Sequence, residues 1–506
     1  MNRQIRRFGA GLMVLYVLLF AQLNRLQVFG AERLVDDPNN TRPIVRDYGQ
    51  RRGSISTADG VLIAFSEELD EGQFRRQRVY PEEHLYAHTT GFFSFNFGAE
   101  GLEKIYTDEL AGKTTEQEFG SISDLFVDHD NTGHLITSLN HELQQTARDA
   151  LGDRRGSVVA IEPSTGNVVA LWSWPSYDPN LLSSIDQDTS RAAWLFHNAL
   201  NPSPLIPKAY RETYFPGSTF KVVTASAALE SGNVTATSPV YPVVTSYTPP
   251  LTTSGIGNFG GSSCGGDLFE AIRRSCNSAI AQMAVEEIGP DTLADVAERF
   301  GFNRKPPLDL PAVAKSNFAT DYGPFNRTNT TAAGRDYDVF DNTPAFAQAA
   351  IGQFETKATP LQMAMVAATV GNGGRLMAPK LVTEIRDVDG NVIETNDDKL
   401  FDIPLGRGTA ELMREAMVNV VESGTAKRLQ TPGWEVGGKT GTAQLAQSIE
   451  ATHAWIISFV GRPGEKSDLA IAVIIEVDPE IGQQTGGVAA APVAKALIDK
   501  FVELQN

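Results

Sequence analysis

Tyr214-Phe215-Pro216-Gly217-Ser218-Thr219-Phe220-Lys221 is the stretch on which the reading of this chain turns. Pro216 and Gly217 end an extended segment, and a helical pattern starts at Ser218 and runs to Glu230. Residues three apart share a helix face, so the Lys221 amine can reach the Ser218 oxygen. A serine hydroxyl is a weak nucleophile until a base takes its proton, and an amine in a desolvated site has its pKa lowered enough to do so. N–H groups of a first helical turn have no partner within the helix, so the Ser218 N–H can face a developing oxyanion. The plainer reading is a capping serine beside a solvated lysine, but S-x-x-K occurs only once in the chain.

Two further motifs follow in order. Ser275-Cys276-Asn277 is an S-x-N triplet, a pattern shared by Ser94-Phe95-Asn96, Ser138-Leu139-Asn140 and Ser231-Gly232-Asn233. Context selects the triplet at 275, which lies within a long helical pattern, Leu268–Ile288, well after Ser218. Lys439-Thr440-Gly441-Thr442 follows Val436-Gly437-Gly438. Read as a strand, Lys439, Gly441 and the two threonines line an edge where a ligand backbone could lie, with the glycines permitting close approach.

The same stretch carries a decoy. Gly433–Thr440 matches G-x-x-x-x-G-K-[ST], and Ile471–Ile475 with Glu476 and Asp478 imitates an acidic, magnesium-holding strand. A phosphate loop needs a strand before it and a helix after it. Pro432 and Gly433 oppose the first and Gly441 the second, and only 28 residues follow Asp478. A nucleotide-hydrolysing reading is therefore set aside.

Composition narrows the field. A length of 506 residues predicts two to four domains. Lys plus Arg number 43 against 61 Asp plus Glu, a net charge of −18, which argues against a nucleic-acid binder. Two cysteines, Cys264 and Cys276, exclude a disulfide scaffold and a four-cysteine zinc site, and the seven histidines lack metal-ligand spacing.

The N-terminus points to a compartment. Arg3, Arg6 and Arg7 precede an uncharged stretch to Asn24 with an apolar core Phe8–Ala21. A cleaved signal and a retained anchor both fit. The absence of an A-x-A-like cleavage site favours the anchor. The arginines then face the cytoplasm, and everything after about residue 30 lies outside. Oxidising conditions there permit a Cys264–Cys276 disulfide, with two buried thiols as an equal alternative.

Residues 31–150 alternate short apolar runs with turns. Phe92, Phe93, Phe95 and Phe97 read as packing residues rather than a partner-facing patch. A short helix is expected over Glu142–Leu151, then a hairpin of Ser157–Ile161 and Asn167–Leu171. Helical patterns recur at Asp291–Phe300, Pro360–Val370 and Thr409–Val421. Arg304–Asn342 is polar and aperiodic, a long surface excursion that could lie over a site. Strand runs Ala454–Val460 and Leu469–Val477 and a helix near Ala490–Glu503 close the chain. Strands at both ends of a helical middle predict an α+β fold, one antiparallel sheet flanked by helices.

In this order, the three motifs resemble those of the penicillin-recognising serine transferases and β-lactamases. The likeness extends to Gly156–Pro163 with Thr165-Gly166, to Pro175-Ser176-Tyr177-Asp178-Pro179-Asn180, and to Gly352-Gln353, Thr359–Ala364 and Asn372-Gly373-Gly374. Arg52-Gly53-Ser54-Ile55, Asp59-Gly60 and Gly101-Leu102-Glu103 resemble the N-terminal region of class B penicillin-binding proteins. The short membrane-proximal region and the Ser-Cys-Asn triplet look most like the penicillin-binding protein A group of actinobacteria.

This resemblance implies a penicillin-binding transpeptidase fold over 151–506, a small, mostly β, non-catalytic pedestal or dimerisation-like domain over 31–150, and a cytoplasmic tip with a single transmembrane helix over 1–30. It implies a peptidoglycan D,D-transpeptidase of the cell membrane, without metal or organic cofactor, acting on stem peptides, acylated by β-lactams, and working beside divisome or elongasome membrane proteins. Ser218 would be the nucleophile and Lys221 its base, Ser275 would relay a proton to the leaving amine, and Lys439 would hold the local field positive. Asn277 would bind the substrate amide, and Thr440, Gly441 and Thr442 its carboxylate end. The 31–150 region is too short for the glycosyltransferase domain of class A relatives. Pro207-Lys208-Ala209 departs from the family's more frequent Asn-Arg-Ala, which bears on contacts ahead of the nucleophile. A hydrolase, for which no clear E-x-x-L-N segment stands between Asn277 and Lys439 and Glu355 is a candidate carboxylate, and a non-catalytic scaffold are the competing readings.

Overall fold

The computed structural model describes residues 2–24, 48–71, 74–114, 117, 130–444, 452–477 and 484–505. They fall into two compact units, Met1–Arg51 with Glu67–Gln77, and Arg52–Ser66 with Arg78–Asn506.

The first unit carries helix α1, Asn2–Asn24. Phe8 and every side chain from Leu12 to Phe20 are exposed. Among the described residues no helix is long and apolar enough to cross a membrane, which departs from the expected span. The strictly apolar core ends at Ala21, before Gln22 and Asn24, and falls short of the about 20 residues that a bilayer core requires.

Ile55–Ser56 (β1), Leu62–Glu68 (β2), Arg76–Val79 (β3) and His134–Thr137 (β4) share a sheet with Val382–Arg386 (β7) and Val392–Thr395 (β8). The strand order is β8-β7-β4-β1-β2-β3, with Ile385 opposite Leu135. This N-terminal sheet therefore takes two strands from far beyond residue 150. Asp309 holds the junction, its carboxylate accepting from Leu381 N and Val382 N at 2.7 Å each and from the Tyr106 hydroxyl at 3.0 Å. Beside the sheet a buried carboxylate, Glu103, bridges Arg52 Nε at 2.5 Å and Arg78 Nε at 2.6 Å. Phe92 is buried edge-on to Tyr177 and Trp194, and Phe97 stacks on Trp194 at 4.5 Å, so these rings pack within the chain.

The central sheet contains Gly156–Ile161 (β5), Val168–Trp174 (β6), Glu435–Gln444 (β9), Thr452–Gly461 (β10) and Ser467–Ile475 (β11). It is antiparallel, in the order β9-β10-β11-β5-β6, so both ends of the transpeptidase-like region meet in one layer. Every residue of β10 is buried, which is why Ala454–Val460 reads as an apolar run interrupted only by Ser458. Helix Pro360–Gly371 (α6) packs on β11, β10 and β5. Its start is set by Pro360 in the first turn and by the Thr359 hydroxyl, which accepts from Gln362 N at 3.0 Å. Helices His141–Leu151 (α2) and Ala491–Leu504 (α7) pack against each other and the sheet.

Two expectations are corrected here. The helical pattern over Leu268–Ile288 is broken into Leu268–Arg273 (α4) and Asn277–Met283 (α5), with a π-helical turn at Ala284–Ile288. The break falls at Ser275, whose φ is +61°, a conformation no helix accommodates. Within the polar excursion, Phe325–Thr330 and Asp336–Phe340 form a hairpin. Its exposed rungs are Thr328–Asp338 and Thr330–Asp336 hydrogen bonds, so the strands carry no apolar alternation to read. Cys264 and Cys276 are disulfide-bonded, with Cα atoms 5.6 Å apart.

Candidate active site

Ser218 sits on a single 3₁₀ turn, Gly217–Thr219, and helix α3, Lys221–Glu230, follows. The turn is tied by the Thr219 hydroxyl, which donates to Pro216 O at 2.7 Å, and by Phe220 N, which donates to Gly217 O at 3.0 Å. Gly217 has φ +53°, and its N–H donates to Gly352 O at 2.9 Å. A Cβ on Gly217 would stand 2.9 Å from Thr442 O, so the turn lies directly against β9. Phe220 behind it is buried between Phe302 and Phe318.

Lys221 is fully buried. Its Nζ donates to Asn277 Oδ1 at 2.6 Å and to Ser275 O at 2.7 Å, and lies 3.4 Å from Ser275 Oγ. Burial, and then the neighbouring Lys439 charge, hold its pKa well below the usual lysine value. Among the described residues no hydrogen bond joins Lys221 to the Ser218 hydroxyl, so the direct contact expected from helix spacing is not made. The amine is drawn instead toward the S-x-N triplet.

Lys439 approaches from β9. Its Nζ donates to Ser275 Oγ at 2.8 Å and to Thr440 O at 2.9 Å. Burial lowers its pKa to about 7. Two amines thus converge on one hydroxyl in a desolvated place, where two full positive charges repel.

Ser275 can serve both amines because of its left-handed backbone. Strain of this kind persists only where surrounding contacts over-determine it. Cys276 N donates to Ala271 O at 2.8 Å, and the disulfide to Cys264 fixes the next residue. Asn277 opens α5 with its amide spanning Lys221 and Gly257, donating to Gly257 O at 2.8 Å. One Nδ2 proton is left over for another acceptor.

On β9, an edge strand, Thr440 pairs its hydroxyl with that of Thr425 at 2.7 Å. Gly441 does have a close neighbour, but not an open ligand face. A Cβ there would meet Pro216 O and Thr219 Cγ2 at 2.9 Å each. Close approach is therefore made by the Ser218 turn itself. Thr442 is half-buried beside it. Lys439-Thr440 stands within a strand, not at a helix start, so the phosphate-loop geometry is absent, while Asp478 lies outside the described residues.

All eight sequence-selected residues thus gather where α3, the α4–α5 break and β9 meet. Sequence reasoning missed Thr425, which has no motif around it. It also missed Asn258, whose Oδ1 accepts from Ser278 N at 2.9 Å, and Trp455, whose indole N–H donates to Phe215 O at 3.1 Å.

Comparison with known proteins bears on the family and the fold. Residues 156–499 match the model for the penicillin binding protein transpeptidase domain, and residues 52–136 that for the penicillin binding protein A dimerisation domain. The chain is 37% identical to the peptidoglycan D,D-transpeptidase PbpA of Mycolicibacterium smegmatis, covering 98% of each. It is 36% identical to the peptidoglycan D,D-transpeptidase PbpA of Mycobacterium tuberculosis, covering 99% of each. Among solved structures, the penicillin G acyl-enzyme complex of penicillin-binding protein A from M. tuberculosis matches with TM-score 0.78 at 34% identity, over 90% of this chain and all of that one.

Proposed function

The chain belongs to the penicillin-binding protein transpeptidase family, and on that premise we propose that it cross-links peptidoglycan stem peptides through an acyl-enzyme on Ser218. It is a D,D-transpeptidase of cell-wall synthesis that β-lactams acylate. The observation that carries the residue roles is the Ser275 hydroxyl set between the two amines of Lys221 and Lys439.

In the neutral form the Lys221 amine has two hydrogens and one lone pair. Asn277 Oδ1 and Ser275 O, its two short acceptors, take the hydrogens and leave the lone pair for the Ser218 proton. The Ser218 oxygen then bonds to the carbonyl carbon of the penultimate D-alanine, and the oxyanion is held by backbone N–H groups of Ser218 and Thr442. The C–N bond to the terminal D-alanine breaks. Its nitrogen receives a proton through Ser275, replenished from the lysine pair. An amine of a neighbouring strand attacks the ester, and Ser218 recovers its proton. Asn277 Nδ2 binds the donor amide, and Thr440 and Thr442 receive the carboxylate end. In a β-lactam the broken C–N bond lies in a ring, so the leaving nitrogen stays tethered and the acyl-enzyme persists.

The exposed apolar side chains of α1 and the arginines ahead of them support a membrane anchor with a cytoplasmic N-terminus and an extracytoplasmic catalytic domain. Residues 31–150 serve as a non-catalytic pedestal, and partners are membrane proteins of the divisome or elongasome. The test is acylation by fluorescent penicillin. A stable band in the wild type, absent in Ser218→Ala, supports the reading. Rapid loss of the band with release of hydrolysed drug supports a hydrolase instead.

A further inference from the structure

Ahead of the nucleophile turn lies a partly buried polar cluster outside the three motifs, with Lys208 and Glu476 at its buried centre. Lys208 Nζ, with a side chain only 2% exposed, sits 2.7 Å from Glu212 Oε2 and 2.7 Å from Glu476 Oε1. The Tyr214 hydroxyl reaches the same two oxygens, at 2.6 and 2.9 Å. It has one proton, so it donates to one of them at a time. Arg155 Nη2 holds the other Glu476 oxygen at 2.7 Å. Two cations therefore face two carboxylates, and the cluster is neutral as a whole.

Its place in the fold matters more than its energy. Glu476 directly follows β11, and its N–H donates to Arg155 O at 2.8 Å. Val477 N donates to His453 Nδ1 at 3.1 Å. The Tyr214 ring stands edge-on to His453 at 5.3 Å and to Trp455 at 6.2 Å. In the β9–β10 register, His453, Ala454 and Trp455 face Ala443, Thr442 and Gly441. Tyr214 is also pinned through its backbone, with N–H to Ala358 O at 2.9 Å and O from Ala358 N at 2.8 Å. Ser218 follows four residues later. One end of the cluster is thus built into the sheet that carries Lys439–Thr442, and the other into the segment that delivers Ser218.

We propose that Lys208, Glu476 and Tyr214 are positioning residues that set the Ser218 turn against Thr442 on β9. The inference rests on the reading of Ser218 as the acylated residue. Lys208 clamps the two carboxylates so that Tyr214 keeps one orientation against His453 and Trp455. Without that clamp, Glu212 and Glu476 repel, the phenol rotates, and the Pro216–Ser218 turn is free to shift relative to the oxyanion site. Misplacement of a reacting atom by about 1 Å costs on the order of 10²-fold in rate. An arginine at this position could also donate to two carboxylates at once.

The test separates the acylation constant from the preceding binding constant, with fluorescent penicillin and the full-length chain. Lys208→Met is expected to lower the acylation constant by about 10- to 100-fold with little change in binding. Tyr214→Phe, which keeps the ring, is expected to lower it by a smaller factor at an unchanged melting temperature, and Lys208→Arg to restore it to within about threefold of wild type. An unchanged acylation constant in folded Lys208→Met overturns the proposal, as does a loss that Lys208→Arg fails to rescue. If Lys208→Met does not fold, Tyr214→Phe decides, and wild-type acylation in that variant overturns the proposal. Failure of the wild type itself to be acylated overturns the Ser218 reading, and this inference with it.

Discussion

Lys439 Nζ donates to Ser275 Oγ at 2.8 Å, across 164 residues of chain. The contact brings a strand of the central sheet to the break between α4 and α5. It also places a second amine beside the one on Lys221, whose pKa both burial and Lys439 depress. Replacing Lys439 with methionine removes the donor to Ser275 and one source of that depression. Acylation by penicillin is expected to fall by about 10²- to 10⁴-fold, measured as the pseudo-first-order labelling rate at neutral pH.

The same burial makes stability depend on pH. Lys439 titrates near 7 in the folded chain against an ordinary value of 10.5, and Lys221 is shifted in the same direction. Between those values the unfolded chain binds more protons than the folded one, so folding stability rises with pH across that window. The melting temperature of wild type relative to Lys439→Met is expected to climb from pH 7 toward pH 10. A flat or falling difference would contradict the buried, depressed amine.

Gly352 sets the other wall of the nucleophile turn. Its φ is +77°, and a Cβ would lie 2.1 Å from Gly217 O. Gly352→Ala therefore has no relaxed geometry and is expected to destabilise the chain by about 1–3 kcal/mol. It is also expected to slow acylation, because the displaced atoms lead directly into Ser218. Thermal melting and labelling of the same sample check both.

The Cys264–Cys276 disulfide closes a short loop, at a sequence separation of 12, and adjoins Ser275. Cys264→Ser with Cys276→Ser is expected to cost about 3 kcal/mol and to slow acylation, since the left-handed backbone at Ser275 loses a constraint. Denaturant unfolding of the double variant beside the oxidised wild type measures the first effect, and fluorescent penicillin the second.

Glu103 carries a separate prediction for the N-terminal sheet. It is fully buried between Arg52 and Arg78. Glu103→Ala leaves two buried guanidinium groups without their carboxylate and is expected to destabilise by about 3–5 kcal/mol, read by denaturant unfolding.

What the sequence showed of this site was chemistry at fixed short spacing. Ser218 with Lys221, Ser275 with Asn277, and Lys439 with Thr442 were readable because each motif is local. The strands β10 and β11 were readable because their buried runs are continuous. The break at Ser275 was not, since hydrophobic periodicity continues across it and a single left-handed residue leaves no trace in that pattern. Nor was the pairing of β7 with β4, because strand partners so far apart in sequence carry no local signal. Helix spacing placed Lys221 beside Ser218, whereas the carbonyl oxygens of Ser275 and Asn277 compete for its amine and win it in this structure.

The most direct test of the account is the site of covalent attachment. The full-length chain is incubated with penicillin, digested, and its peptides weighed. A penicilloyl mass on the peptide containing Ser218, absent in Ser218→Ala while that variant melts like the wild type, is the predicted result. An adduct on any other residue, or an undiminished adduct in Ser218→Ala, would contradict the central claim.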